Sequence, residues 1–258
     1  MGFALAPRAT AAGYQVLSYE SIGSTNDEAL ARSRRGERGP LWIAARAQTA
    51  ARGRRGTLWL SPQGNLAASL LTVVAGPLMQ AATLGLVAGL ALDAALTACA
   101  PALQCRLALK WPNDVLADGG KLAGILLESE GRKNGYTMVV GIGVNVASAP
   151  NDLSAVSLAT LGVDIDADQL FTELSAAWLD YAGIWNEGRG LATIRSRWLA
   201  RAANVGAEIS VRLGDKVLHG TFETLDEQGR LILRLPDREA VAIAAGEVYF
   251  DPLEAEAR

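Results

Sequence analysis

A run of arginine and glycine between two apolar segments is the feature that most restricts how this chain can fold. Residues 52–56 read RGRRG, an apolar run precedes them at 41–45, and another follows at 66–74. Glycine lets a backbone approach a ligand closely, and arginine offers planar, permanently charged donors for phosphate or carboxylate groups. Two buried strands joined by this segment predict a loop that closes over an anion. A solvated basic turn is the alternative interpretation of the run alone.

Composition excludes several classes of protein. The 258 residues carry a net charge of −3, which argues against sequence-independent nucleic-acid binding. His219 is the only histidine, so a site with several histidine ligands is impossible and a Ser-His-Asp triad would depend on that one residue. Half of the residues are hydrophobic, which is enough for one large domain or for a large and a small one.

The sequence favours a cytoplasmic location. Its two cysteines, Cys99 and Cys105, are too few for a disulfide scaffold, and no secretory signal is evident. The apolar stretch 81–98 is interrupted by Thr83 and Asp93, which favours a buried helix over a membrane span. We therefore expect no membrane segment.

Hydrophobic periodicity divides the chain into a large N-terminal part and a small C-terminal part. Thr25 and Glu28 form a predicted capping box for a helix that ends near Ser33. The Asn134-Gly135 pair predicts a hairpin. Short strands after about Val205 predict a small barrel, with domains at 1–204 and 205–258. The other predicted strands are at 41–47, 66–74, 106–111, 122–128 and 136–146, and the other predicted helices are at 77–98, 166–187 and 191–202.

Polar residues at the start of the first predicted helix offer more groups than a helix cap needs. Ser24, Thr25 and Asn26 supply two hydroxyls and an amide, whereas one such side chain caps a helix for about 1 kcal/mol. Capping alone is the structural alternative, and the spare groups suit the polar head of a ligand. Trp59, just after the arginine loop, offers a flat surface on which a ring can stack. The alternative is that Trp59 is itself a core side chain.

A second group of polar residues lies at strand ends in the middle of the chain. Residues 110–115 read KWPNDV and residues 121–126 read KLAGIL. Asn113 and Asp114 follow a proline that restricts the exit from a strand, and an amide there can read the edge of a base. Lys110 and Lys121 flank this turn. A Pro-Asn-Asp turn is common by itself, but a lysine on either side of it suits a reacting phosphate or carboxylate.

Glycines interrupt an apolar strand at 141–146, which reads GIGVNV. Gly141 and Gly143 weaken a strand and often mark the close approach of a ligand, with relief of crowding in the sheet as the alternative. No helix start follows Asn145, so this is not a dinucleotide fingerprint, and the chain has no Walker A sequence. Basic residues, a flat aromatic ring and the lack of a usable histidine together suit chemistry on a nucleotide phosphate.

Taken in order, five stretches resemble the hallmark motifs of biotin–protein ligases, also called biotin–[acetyl-CoA-carboxylase] ligases. They are 24–26, 48–56, 110–114, 121–126 and 141–145, and the resemblance covers essentially the whole chain. It implies an α+β fold with a mixed β-sheet flanked by helices, of the class II synthetase-like kind, and a small C-terminal SH3-like β-barrel. It also implies a two-step reaction. Biotin and ATP give biotinyl-5′-AMP and pyrophosphate, and a lysine of a biotin carboxyl carrier protein then displaces AMP. Magnesium (Mg2+) accompanies the ATP.

The resemblance implies a role for each matching residue. Biotin's ureido and pocket groups would be contacted by Ser24, Thr25, Asn26 and Gln48. The strand that carries Gly141, Gly143 and Asn145 would form the floor of the biotin pocket.

The nucleotide side follows from the remaining motifs. The loop that orders over the ligand would contain Arg52, Gly53 and Arg54, with Arg54 towards the phosphates. Adenine would be held by Trp59 and Asn113, in the motif that starts at Lys110. Lys121 would lie at the biotin carboxylate and the α-phosphate and stabilise charge there. Asp114 is a candidate for contact with metal or with the incoming lysine, and no resident metal site is predicted.

Two residues depart from the family pattern. Ala51 stands where glycine is usual, which restricts the loop, and Thr57 stands where a basic residue is usual, which removes a charge. We expect neither to abolish activity. Larger family members carry an N-terminal helix-turn-helix for which this chain has no room before Ser24, so we expect no specific DNA binding. Some members use the strand at 139–144 to dimerise, so a homodimer is possible.

Two other functions remain open from the sequence. A lipoate–protein ligase or octanoyltransferase resembles the same catalytic fold, although the RGRRG loop and the KWPND turn favour the biotin branch. A non-catalytic module that binds biotin or the carrier is the second alternative, and Arg52, Arg54 and Lys121 argue against it.

Overall fold

The structure is a computed structural model that describes residues 2–151 and 154–250. Its helices are α1 (Pro7–Ala11), α2 (Thr25–Arg34), α3 (Leu78–Ala82), α4 (Leu84–Cys99), α5 (Ala167–Trp185) and α6 (Leu191–Arg201). Its strands are β1 (Gln15–Tyr19), β2 (Leu41–Ala45), β3 (Leu66–Val74), β4 (Leu107–Lys110), β5 (Asp114–Ala117), β6 (Gly120–Arg132), β7 (Gly135–Val144), β8 (Glu208–Leu213), β9 (Lys216–Leu225), β10 (Leu231–Arg234), β11 (Ala240–Ile243) and β12 (Glu247–Tyr249).

The apolar runs on either side of the arginine loop become neighbouring strands of one mixed sheet. Its order is β1-β2-β3-β7-β6-β5-β4, in which β1 and β2 are parallel and all other neighbours are antiparallel. The predicted hairpin forms between β6 and β7, with Arg132 opposite Gly135. Because β2 and β3 are adjacent and antiparallel, the loop between them starts and ends at the same end of the two strands.

Side chains alternate between the two faces of this sheet, as the period of two along a strand requires. Trp42 and Ala44 belong to the main core with α4 and α5, whereas Leu41 and Ile43 pack with Ala29 of α2 on the opposite face. The sheet is therefore flanked by helices on both sides, in agreement with the predicted fold class. Since α2 has only ten residues, part of its face of the sheet is left for a cleft.

Two details of the predicted helices are wrong. The cap of α2 is Ser24, whose Oγ accepts a hydrogen bond from the Asp27 N–H at 3.3 Å, so the Thr25–Glu28 box does not form. Thr83 separates α3 from α4 where one helix was predicted. By length and composition alone the segment Leu78–Cys99 is apolar enough to cross a membrane, but most of it is buried in the core. Most of this segment is α4, which is a core helix, as the polar interruptions predict.

Three elements were not predicted from the sequence. They are α1, β1 and β5, of which β5 matters most because it begins at Asp114. Asp114 therefore belongs to a strand paired with β4 and β6, and only 111–113 form the turn that was predicted to contain it.

The C-terminal strands form a separate antiparallel sheet in the order β11-β10-β9-β8-β12. The alternating sequence of β8 buries Ile209 and Val211, which join the same apolar core as the large sheet. The predicted small barrel thus packs on the rest of the chain, and the boundary after residue 204 stays a prediction.

Candidate functional site

A cleft of about 1140 Å³ lies on the α2 side of the large sheet and is closed at one end by β8 and β12. The sequence-predicted residues that line it are Ser24, Thr25, Asn26, Gln48, Arg52, Gly53, Arg54, Trp59, Lys110, Asn113, Asp114, Lys121, Gly141 and Gly143. Motifs more than a hundred residues apart thus share one cavity, because β7 lies beside β3 in the sheet and β6 lies beside β7.

The start of α2 forms a buried, hydrogen-bonded pocket at one end of the cleft. Gln48 Oε1 accepts from the Thr25 N–H at 2.8 Å and lies 3.1 Å from Thr25 Oγ1. Ser69 Oγ lies 2.7 Å from Thr25 Oγ1 and 2.6 Å from Asn26 Oδ1. Buried polar groups are costly unless paired, so this network fixes the hydroxyl and amide positions. Sequence reasoning missed Ser69, although a serine inside the apolar run 66–71 was a visible signal.

Gly141 leaves the space that Asn26 occupies. A Cβ built on Gly141 would lie 2.3 Å from Asn26 Oδ1, far inside van der Waals contact. Only glycine fits there without displacing the amide, so Gly141 relieves crowding by a neighbouring side chain, and the close approach of a ligand to this strand stays a prediction.

Trp59 lies against two glycines of neighbouring strands. A Cβ on Gly143 would lie 2.7 Å from its Nε1, and one on Gly124 would lie 3.3 Å from its ring. The indole is therefore a wall of the cleft rather than a core side chain, and Lys121 Nζ lies 5.6 Å from the centre of its ring.

Arg52 binds two carboxylates. Its guanidinium donates to both oxygens of Asp27, at 2.9 and 2.7 Å, and to Glu128 Oε1 at 2.9 Å. The hydrogen bond from Arg52 holds the pKa of Asp27 below its ordinary value, and both carboxylates raise the pKa of Arg52. Glu128 was missed by sequence reasoning because it stands outside every recognised motif.

Arg54 connects the loop to the C-terminal sheet. Its Nη1 donates to the Gly246 carbonyl at 2.9 Å, and Arg55 lies 3.6 Å from the Glu247 carboxylate. Burial lowers the pKa of Arg54, with a further contribution from the neighbouring charge of Arg55, yet a guanidinium in a protein stays protonated. Arg52 and Arg54 thus anchor the loop at both ends of the cleft.

The turn within the loop uses a residue that departs from the family pattern. Thr57 Oγ1 donates to the Arg54 carbonyl at 3.0 Å, and its own carbonyl accepts from the Gly53 N–H at 2.7 Å. The Thr57 hydroxyl therefore helps to close the turn, at a position where the family pattern has a basic residue.

The residues expected at the nucleotide lie along β4, β5 and β6. Lys121 Nζ lies 2.8 Å from Asp114 Oδ1. Asn113 donates through Nδ2 to the Ile125 carbonyl at 2.9 Å, which fixes its amide. Lys110 Nζ lies 4.7 Å from the centre of the Phe250 ring, so the C-terminal sheet contributes to this end too.

Asn145 alone among the predicted residues does not line the cleft. It is buried, and its Nδ2 donates to the Val156 carbonyl at 3.1 Å while its backbone N–H donates to Leu122. Asn145 supports the backbone around Lys121 instead of forming the floor.

Positive charge prevails in the cleft. Among the described residues that line it, five side chains are cationic and two are carboxylates, Asp114 and Glu247, and one of the five cations, Arg52, is paired with Asp27 and Glu128. No group of three or more His, Cys, Asp or Glu side chains able to hold a metal occurs in 2–151 and 154–250. Such a cavity favours a polyanionic ligand, since its charges are fixed and partly withdrawn from water.

Comparison with known proteins agrees with this chemistry. Residues 19–145 match the Biotin/lipoate A/B protein ligase family, and residues 205–251 match the Biotin protein ligase C terminal domain. A biotin–[acetyl-CoA-carboxylase] ligase of Paracoccus denitrificans is 46% identical over 237 residues, which cover 88% of this chain and 97% of that protein. One of Mycobacterium tuberculosis is 38% identical over 240 residues, covering 88% of this chain and 85% of that protein.

The fold agrees as well. A solved biotin protein ligase from Aquifex aeolicus, in complex with biotin and ATP, superimposes with a TM-score of 0.73 at 25% identity, over 91% of this chain and 97% of that one. The predicted mixed sheet and SH3-like C-terminal domain are confirmed. The chain therefore belongs to the biotin/lipoate A/B protein ligase family and, within it, to the biotin–protein ligases.

Proposed function

We propose that this protein activates biotin with ATP as biotinyl-5′-AMP and transfers the biotinyl group to a lysine of a biotin carboxyl carrier protein. The observation that carries the proposal is the cationic cleft. It joins the hydrogen-bonded pocket of Thr25, Asn26 and Gln48 to Lys121 and the arginine loop. Two relatives that align with this chain over most of their length are named for this activity, which supports the same assignment.

In the first step a biotin carboxylate oxygen attacks the α-phosphorus of ATP. A carbon–oxygen–phosphorus link forms, and the bond to the leaving pyrophosphate breaks with its electron pair. Lys121 and Arg54 would stabilise the negative charge that develops on the phosphoryl oxygens, as fixed cations in a partly enclosed site do. The adenine would be held by Trp59, which packs against Gly124 and Gly143, and by Asn113, whose amide donates to the Ile125 carbonyl.

In the second step the acceptor lysine attacks the carbonyl carbon of the mixed anhydride. An amide forms, AMP leaves, and the amine loses a proton. Asp114 is the carboxylate nearest to Lys121 and would orient the incoming amine or accept its proton.

Magnesium fits this site as a companion of ATP. Mg2+ is usually held by substrate phosphates and one or two carboxylates, and Asp114 and Glu247 are the carboxylates that the cleft offers among the described residues. Bound in this way it would neutralise phosphate charge.

Three finer proposals concern the surroundings of the enzyme. The low cysteine content supports a cytoplasmic location, and the net charge of −3 supports the absence of operator binding. A gel shift with a biotin-operon promoter fragment at moderate salt tests the latter, and specific binding would contradict it. A homodimer is also proposed, but the strand at 139–144 cannot pair with a strand of a second copy. These residues belong to β7, which pairs with β3 on one side and β6 on the other.

ATP–pyrophosphate exchange tests the activation step. The purified chain should catalyse exchange with biotin and not with lipoate or octanoate supplied separately. Exchange with lipoate would assign the chain to the lipoate ligases, and no exchange with any acid would favour a transferase or a binding module.

A further inference from the structure

Glu128 connects two motifs to which it does not belong. Its Oε2 accepts from Asn26 Nδ2 at 2.7 Å, and both of its oxygens accept from Arg52 Nη2, at 2.9 and 3.1 Å. Asn26 belongs to the start of α2, Arg52 belongs to the loop between β2 and β3, and Glu128 lies on β6. One carboxylate therefore holds together both parts of the cleft wall.

The contact with Asn26 determines which way its amide faces. An ionised carboxylate can only accept hydrogen bonds, so the NH2 group must point to Glu128 and Oδ1 must point away from it. Oδ1 lies 2.6 Å from the Ser69 hydroxyl, in the space that Gly141 leaves open. Asn26 thus presents an acceptor at the cleft, which suits a ligand head with N–H donors and not an apolar one.

The contact with Arg52 changes what that residue can do. One guanidinium charge is shared between two carboxylates, Asp27 and Glu128. Its charge is compensated by these carboxylates, unlike the charge of Arg54, whose hydrogen-bond partner is a neutral carbonyl. Arg52 is therefore better placed to tie the loop to α2 and β6 than to supply charge to a phosphate.

We infer that Glu128 is a positioning residue that fixes the acceptor orientation of Asn26 and, together with Asp27, holds Arg52, and with it the arginine loop, against α2 and β6. The inference rests on the proposed function for the identity of the ligand, a ureido-bearing acid. It does not rest on that function for the loop, because the contacts that hold Arg52 are made by side chains of this chain alone.

Three variants separate the two contacts of Glu128. Glu128→Gln removes the charge that pairs with Arg52 and leaves one oxygen to accept where the carboxylate has two, so it weakens both contacts. Asp27→Asn weakens the hold on Arg52 and leaves the contact between Asn26 and Glu128 intact. Glu130→Gln is the matched control, since Glu130 is two residues further along β6 and pairs with Arg34 of α2 at the surface.

Two measurements are made on each variant of the full chain. The first is the rate of trypsin cleavage after the exposed Arg55 without ligand, which reports loop order. The second is KM for biotin and kcat in ATP–pyrophosphate exchange. Glu128→Gln should speed cleavage and raise KM for biotin roughly tenfold to hundredfold, with kcat changed much less. Asp27→Asn should speed cleavage with little change in KM, and Glu130→Gln should change neither.

The outcomes distinguish this inference from the proposed function. If Glu128→Gln equals Glu130→Gln in both measurements, the inference is wrong. It is also wrong if Glu128→Gln lowers kcat while KM for biotin is unchanged. If the unaltered protein catalyses no exchange, the proposed function fails, and the cleavage rates alone still support or overturn the hold on the loop. A melting temperature equal to that of the control excludes general unfolding as the cause.

Discussion

Replacing Gly141 with alanine tests whether the glycine strand is shaped around Asn26. The added Cβ would lie 2.3 Å from Asn26 Oδ1, and ordinary contact starts near 3.4 Å, so one of the two must move by about 1.1 Å. Asn26 is held on both sides, by Ser69 at 2.6 Å and by Glu128 at 2.7 Å. A movement of that size stretches a hydrogen bond beyond its useful range.

The cost follows from these contacts. Overpacking a tight site costs about 1–3 kcal/mol, and a chain of this size loses about 2–4 °C in Tm per kcal/mol. Biotin affinity should fall by at least about tenfold, which corresponds to about 1.4 kcal/mol, because the displaced amide no longer offers Oδ1 at its place. Isothermal titration with biotin and a thermal unfolding scan measure the two effects.

The control is Gly131→Ala. Gly131 lies on β6, and a Cβ there meets no atom within 4 Å. This substitution should leave biotin affinity unchanged and Tm unchanged or slightly raised. If Gly141→Ala had the same affinity and Tm as Gly131→Ala, the account of the pocket would be refuted.

Three further predictions follow from single residues. Lys121→Ala should lower ATP–pyrophosphate exchange by at least about 100-fold, whereas Lys133→Ala, at the exposed hairpin turn, should not, and normal adenylate formation by Lys121→Ala would contradict the assigned role. Asn65→Ala should lower the free energy of unfolding in urea by at least about 2 kcal/mol, since its buried Oδ1 accepts from three successive backbone N–H groups, and an unchanged midpoint would count against this. At neutral pH Cys105, which is exposed, should react with a thiol reagent much faster than Cys99, whose pKa burial raises to about 11, so equal rates would argue against the packing of α4.

Much of the fold could be predicted because its elements have strong local signals. The apolar run at 66–74 coincides with β3, the hairpin predicted from Asn134-Gly135 forms with Lys133 and Asn134 as its turn, and the short C-terminal strands appear close to their predicted positions. Strand β1 has no comparable signal. Its sequence is mixed, and it is stabilised by parallel pairing with β2, a contact between residues distant in sequence.

The site shows the same division. Motif residues could be identified one by one, but the residues that hold them in place could not. Glu128 acquires its role only when β6 lies beside α2 and the arginine loop, and Arg54 meets Gly246 only because the C-terminal sheet packs over the cleft. Asn145 shows the reverse case, since it belongs to the glycine motif yet its side chain binds the backbone of Lys121 and Val156 and does not line the cleft.

The most direct test of the central claim is the mass of an acceptor carrier domain after incubation with the purified chain. With biotin and ATP together, intact-mass spectrometry should show the addition of one biotinyl group to a lysine, and omission of either substrate should abolish it. No addition with biotin and ATP, or addition of a lipoyl or octanoyl group instead, would contradict the account.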